Sequence, residues 1–360
     1  MKRTGFTLIF TVILFFMTPA CTEETKYTTD PRANFEALWK LLDENYCFFD
    51  YKDIDWNEVH AKYSPLVTDT INRYELFDIL GKMLAELKDG HTNLISTFNV
   101  SRFWDWSENY PDNFNSAILK NYMGTDYQIA GGLRYLILRD SIGYVYYGDF
   151  SSAVGEANLD EMFLHFKDCK ALIFDVRGNG GGSLVYSERI ASRFITEKRL
   201  VGYIMHKKGP GHSDFSEPYP IELEPSQRIK WMRPVAVLTN RSCYSATNDF
   251  VNKMRLFDQV TVIGDKTGGG CGLPFHSEIP NGWSVRFSSS PMLNADKEYT
   301  EYGVDPDIKQ NITDNDIING IDSIIEEAIR YLKEKTAGST PSVESDPQQE
   351  QSGRLILSYQ

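Results

Sequence analysis

Residues 171–176 form a run that is apolar except for Asp175 and opens into a glycine-rich loop, Arg177-Gly178-Asn179-Gly180-Gly181-Gly182, and then into an amphipathic stretch over 183–195. Such a strand is one that must be covered on both faces, as in a parallel sheet. A strand that hands over to a helix through a short loop is the building unit of such sheets. The same texture recurs on either side. Strands are expected at 142–147, 201–206, 235–239 and 260–264, and helices at 156–169 and 245–257. Residues 141–335 therefore read as an α/β domain with parallel pairing. Its closing amphipathic helix is expected to carry Ile317, Ile321, Ile324, Ala328 and Leu332.

Ahead of this domain the period changes. Asp30-Pro31 reads as a helix cap followed by proline in the first turn. Phe35, Leu38, Trp39, Leu42 and Tyr46 follow at helical spacing, and Leu76, Phe77, Leu80, Met83, Leu84 and Leu87 mark a second apolar face. Lys88-Asp89-Gly90 ends that helix. Residues 31–92 are thus expected to be a small helical domain that delivers His91 at its end. Residues 93–140 link the two domains. Their Trp104, Trp106, Tyr110 and Phe114 show no clean period, which leaves a substrate-facing loop and a reduced insert domain both open. The Ser/Pro/Glu/Gln-rich residues 336–360 are expected to be a disordered tail.

The first 20 residues read as an export signal. Lys2 and Arg3 precede a mostly apolar run over 6–17, too short to span a bilayer, which takes about 20 helical residues. Thr18-Pro19-Ala20-Cys21 resembles a bacterial lipobox, which implies lipidation of Cys21, a polar tether over 21–30 and attachment to a membrane of the cell envelope. Net charge is −13; without the two signal cations, 35 basic residues face 50 acidic ones. A surface of that sign repels phosphate backbones, so nucleic acid is not an expected partner. Cys47, Cys169, Cys243 and Cys271 show no metal-ligand spacing, and neither metal nor organic cofactor is expected. They read as buried thiols, with a Cys243–Cys271 disulfide as the alternative.

Four short segments carry candidate chemistry. Asp89-Gly90-His91-Thr92 places a histidine just past a helix end. The glycine loop over 178–182 turns backbone N–H groups toward a ligand, which suits a phosphate or a developing oxyanion. A dinucleotide site is disfavoured, because the nearest acid, Glu197, precedes the next strand instead of ending it. Asn240-Arg241-Ser242-Cys243-Tyr244-Ser245-Ala246-Thr247-Asn248 follows one strand and opens a helix. Ser245 there is either a simple cap or a nucleophile at a positive helix end. The fourth comprises the turns Gly264-Asp265-Lys266-Thr267-Gly268-Gly269-Gly270 and Glu301-Tyr302-Gly303-Val304-Asp305-Pro306-Asp307.

In this order, over residues 31–335, these segments resemble the serine peptidase family of C-terminal processing (tail-specific) peptidases and the tricorn protease core. The resemblance implies a crotonase-like ββα-spiral core and hydrolysis of peptide bonds in unfolded or C-terminal peptide segments. It implies Ser245 as nucleophile, with the N–H groups of Gly181 and Ala246 as oxyanion hole. The processing peptidases use a lysine base where this chain has Gly270. The tricorn-like branch uses a histidine, which implies His91 as base, and a glutamate, which nominates Glu301 as the group that orients it; Asp89 is the alternative. Its tricorn member has serine where this chain has Gly90. A vertebrate retinoid-binding relative implies a rival role, binding apolar ligands without cutting them, and an esterase is a second rival. His276 is the one competing base.

Overall fold

The computed structural model describes residues 26–337. The residues read as an export signal, Cys21 and the end of the expected tail, 338–360, lie outside the described residues. Two sheets organise the chain. The first has seven strands: β2 (Gln128–Ala130), β3 (Leu133–Leu138), β4 (Ile142–Tyr146), β5 (Ala171–Asp175), β8 (Val235–Thr239), β9 (Val260–Gly264) and β12 (Ile308–Lys309). Its spatial order is β12-β9-β8-β5-β4-β3-β2, parallel from β4 to β12 and antiparallel at the β2-β3-β4 edge. The second sheet is antiparallel. It comprises β1 (Asn93–Ile95), β6 (Arg199–Ile204), β7 (Tyr219–Leu223), β10 (Gly272–Glu278) and β11 (Ser284–Leu293), with β11 at its centre.

The apolar runs of the sequence become the central strands. Every residue of β5 and β8 is buried. One face packs against α6 (Glu156–His165), α7 (Leu184–Ala191) and α8 (Ala246–Met254), with Phe163, Ile190 and Phe250 in that core. The other face receives α10 (Ser323–Ala337), with Ile324, Ala328 and Leu332. This is the mixed α/β core expected, with helices ahead of it. The N-terminal helices are α1 (Pro31–Asn45), α2 (Phe49–Lys52), α3 (Trp56–Tyr63) and α4 (Arg73–Ala85). Asp30 caps α1 through Ala33 N–H at 2.6 Å, and Asn72 with Glu75 forms a capping box on α4. Their apolar faces share one core with Trp283, Val285 and Phe287 at β11, so this helical region closes on the second sheet.

One expectation changes, and one alternative falls away. The closing helix is two: α9 (Asp314–Ile318) ends where Gly320 turns left-handed at φ +67°, and Asp322 Oδ1 then caps α10 by accepting from Ile324 and Ile325 N–H. Ile317 and Ile321 are 43% and 40% exposed, off the buried face. The four cysteines are buried and unbridged, so the Cys243–Cys271 disulfide is absent. Within 93–140, α5 (Ser116–Met123) joins β1 to β2, and the preceding residues 99–115 run as loop and turns across the mouth of the first sheet.

A buried charge cluster ties the glycine loop to α10. Arg177 is fully buried, 2.6 Å from Asp175 Oδ2 and 2.9 Å from Asp322 Oδ1, and Tyr144 donates to Asp175 Oδ2 at 2.6 Å. One guanidinium thus serves two carboxylates that water does not reach. Removing it strands both, which costs about 3–5 kcal/mol. Arg177→Met is expected to lower the urea midpoint accordingly; an unchanged midpoint would show that the cluster adds nothing to stability.

Candidate active site

Ser245 stands at the junction of β8 and α8, as the residue before the first turn of the helix. Its backbone is at φ +59°, ψ −121°, a conformation a non-glycine residue holds at a cost of about 1–3 kcal/mol. Neighbouring hydrogen bonds hold it there: Ser245 N–H to Gly269 O at 2.8 Å, Tyr244 N–H to Asn179 O at 3.2 Å and Gly268 N–H to Cys243 O at 2.8 Å. The sharp turn throws the side chain outward, so Ser245 makes no cap on its own helix. Of the two readings of this serine, the simple cap is excluded. His91, 154 positions earlier, meets it with Nε2 2.9 Å from Oγ.

The glycine loop lies against the same turn. A side chain at Gly181 would meet Tyr244 O at 2.6 Å and Ser245 Cβ at 2.8 Å, at φ +104°, so only glycine fits. Asn179 braces the contact. Its Oδ1 accepts from Gly181 N–H at 2.9 Å and from Thr247 Oγ1 at 2.7 Å, and its Nδ2 donates to Tyr147 O at 2.9 Å. The two expected oxyanion donors differ in their hydrogen bonds. Gly181 N–H is already engaged by Asn179, whereas Ala246 N–H has no acceptor among the described residues. Gly180 and Gly182, not Gly181, line the cleft. That cleft has a volume of about 650 Å³ and is walled by Phe103, Trp106, Leu273 and Met292 among others.

Comparison with known proteins gives the family. A profile of peptidase family S41 matches residues 141–310, and one of the tricorn protease C1 domain matches residues 27–85. A crystal structure from Parabacteroides merdae, named as a peptidase, is 63% identical, covers 87% of this chain and 100% of its own, and superposes with a TM-score of 0.84. The chain belongs to peptidase family S41. A tricorn-like protease C-terminal subunit of Sulfurisphaera tokodaii is 23% identical over 84% of this chain and 43% of its own. The carboxy-terminal processing protease CtpA of Bacillus subtilis is 24% identical over 49% of this chain and 36% of its own. The chain thus spans less than half the length of these two curated relatives. The tricorn protease itself shares the fold at 18% identity and a TM-score of 0.54, over 86% of this chain and 37% of its own.

At the two positions where the resemblance implies a lysine and a serine, a side chain would meet the same two rings. Tyr244 and Trp106 stack at 4.1 Å between ring centroids. A Cβ on Gly270, where the resemblance implies lysine, would lie 2.4 Å from the Tyr244 ring. A Cβ on Gly90, where tricorn has serine, would lie 2.6 Å from Trp106 Nε1 and 2.9 Å from the Tyr244 hydroxyl. The stacked rings fill both places. Trp106 also accepts from Arg241 Nε at 2.5 Å through its carbonyl, so the loop around Trp106 is a wall of the cleft. Sequence reading noticed Trp106 but found no period that would place it.

Glu301 requires a correction. It does not touch His91; its Oε1 lies 2.8 Å from Lys52 Nζ and its Oε2 accepts from Cys271 N–H at 3.0 Å. Lys52 also donates to the carbonyls of Leu87 and Lys88 at 3.3 and 3.2 Å, just ahead of the His91 loop. Glu301 and Lys52 thus hold the two loops together. Asp89 is the carboxylate nearest the histidine, its Oδ1 accepting His91 N–H at 2.8 Å. Neither Asp89 Oδ2 nor His91 Nδ1 meets hydrogen-bond geometry among the described residues. Lys52 escaped sequence reading because a lone lysine 249 positions from its partner leaves no local signal.

The charges explain how the cluster titrates. One ammonium faces two buried carboxylates and cannot keep both ionised. Burial and the Asp89 charge push Glu301 up to about 7 against the pull of Lys52. Burial alone would raise Asp89, but Lys52, His91 and hydrogen bonds hold it below the usual range. Burial draws His91 down to about 4, opposed by Asp89 and aided by Arg286 and Lys52. His91 is therefore neutral at pH 7, the form that accepts a proton. The imidazole of an unfolded chain titrates near 6.5, so this group removes stability as pH falls from about 6.5 to about 4. Ring NMR of His91 is expected to give a midpoint near 4; a midpoint near 6.5 would mean that burial does not govern it.

His276 is not in the cluster. It lies on β10, opposite Arg286 in register, and is exposed.

Proposed function

We propose that the protein is a serine peptidase in which Ser245 attacks the scissile carbonyl and His91 takes its proton. The reading rests above all on the 2.9 Å contact between His91 Nε2 and Ser245 Oγ at the floor of a cleft large enough for a peptide. As the Ser245 hydroxyl attacks, its proton passes to Nε2 and the carbonyl oxygen becomes an oxyanion. Ala246 N–H and a second N–H of the glycine loop, from Gly180 or Gly182, receive it. Losing one such donor costs about 10²–10³ in rate. His91 returns the proton to the leaving amine, then activates the water that releases the acyl group. Asp89, ionised beside the ring, stabilises the imidazolium that forms on the way. Glu301 and Lys52 position the His91 loop without touching the reacting atoms.

In this reading the protein is also exported and tethered through a lipid on Cys21, facing peptides or unfolded proteins in the bacterial cell envelope. The support for the tether is the Thr18-Pro19-Ala20-Cys21 motif behind a basic and apolar leader. No helix among the described residues is long and apolar enough to cross a membrane. Cys21→Ser is expected to abolish fatty-acid labelling in cells and release the protein from membranes; labelling that persists rules the tether out.

A fluorophosphonate probe and casein digestion test the chemistry together. The probe is expected to mark wild type at Ser245 and to leave Ser245→Ala unmarked. Ser245→Ala and His91→Ala each lower kcat by about 10⁴- to 10⁶-fold. The acid limb of kcat/KM lies near pH 4, following His91. Labelling without any turnover of peptide would favour an esterase; no labelling of folded protein would favour a non-catalytic binder of apolar ligands.

A further inference from the structure

The cleft carries a charge imbalance that the reaction at Ser245 does not use. Besides His91, its charged lining residues are Arg102, Lys253, Arg286 and Asp249. Lys253 is accounted for: its ammonium is 2.6 Å from Asp249 Oδ2 and its side chain is 1% exposed. The two arginines are not. Among the described residues, neither guanidinium makes a hydrogen bond or an ion pair, and Arg102 lies only over the Trp104 ring at 5.7 Å. Two unpaired cations line this cleft in a chain with 50 acidic and 37 basic residues.

Arg286 is the informative one. It sits on β11 opposite Asn93 of β1, two residues past His91, and both Asn93 and Arg286 line the cleft. The same cleft is lined by His91, Tyr244 and Ser245, and the Arg286 charge lowers the pKa of both His91 and Tyr244. It is partly buried and desolvated. A guanidinium withdrawn from water without a partner is unfavourable until an anion arrives. Asp89 influences it, but no ion pair joins them within 4.0 Å, Asp89 Oδ1 is engaged by His91 N–H, and Asp89 does not line the cleft. A carboxylate matches the fork of donors that Arg286 presents. The neighbouring Leu273 and Met292 offer apolar surface for the rest of a peptide.

We propose that Arg286, with Arg102 at the rim, forms a carboxylate-binding subsite beside Ser245 and His91, so that the peptides taken are those carrying a carboxylate near the scissile bond. That carboxylate is either an Asp or Glu side chain or the α-carboxylate of a chain end. The proposal rests on the reading of the cleft as a peptide site, but its test does not need cleavage.

Isothermal titration of the full chain as Ser245→Ala compares three peptides on one apolar frame. One has an internal Glu and an amidated end, one has Gln in its place and an amidated end, and one has Gln and a free carboxyl end. At least one carboxylate peptide is expected to bind about 10- to 100-fold tighter than the Gln amide. Adding Arg286→Gln erases that preference, and Arg286→Lys restores part of it. Tight binding of the Glu amide identifies a side-chain carboxylate; tight binding of the free acid identifies a chain end. Equal affinities, no binding of either carboxylate peptide, or a preference that survives Arg286→Gln overturns the proposal. Wild type that binds with this preference yet cleaves nothing refutes the peptidase and leaves the subsite standing.

Discussion

Phe174 of β5 lies opposite Val237 of β8 in parallel register, and that pairing decides where the chemistry can be. Two parallel neighbours send their following loops out of the same edge of the sheet. The glycine loop leaves β5 there and the Ser245 turn leaves β8, so the two meet without any long-range search. Their contact is tight enough to exclude a Cβ at Gly181, and Asn179 sews it with bonds to both loops and to Tyr147 O. The strained backbone at Ser245 persists because this packing determines it from several sides.

The histidine reaches the edge by a different route. It comes from the helical region, whose core is continuous with Val285 and Phe287 on the second sheet. The Lys52–Glu301 pair then ties the end of α4 to the loop before β12. A single buried ammonium shared with Asp89 and Glu301 leaves one carboxylate ionised beside the imidazole and the other prone to hold its proton. The site thus keeps an anion next to a neutral imidazole without leaving two bare charges in the interior.

Tyr244 and Trp106 show how substitution at a site is coupled. Once two stacked rings occupy the space over Gly90 and Gly270, neither a relay serine nor a lysine base can be accommodated. The histidine is then the group left in reach of Ser245 Oγ.

What the sequence determined by itself was whatever a local run of residues can encode. The largely apolar runs at 171–175 and 235–239 could be satisfied only between two covered faces, and Asp30 announced a helix start by direct contact with a nearby N–H group. The motifs in their order carried a family resemblance, and that resemblance nominated Ser245 and His91. Only the tertiary structure decided which groups surround them. Lys52 meets Glu301 across 249 positions, Arg286 stands beside His91 through strand register, and Gly181 surrenders its N–H to Asn179. Such contacts depend on where strands and loops cross in space, and no spacing along the chain records a crossing.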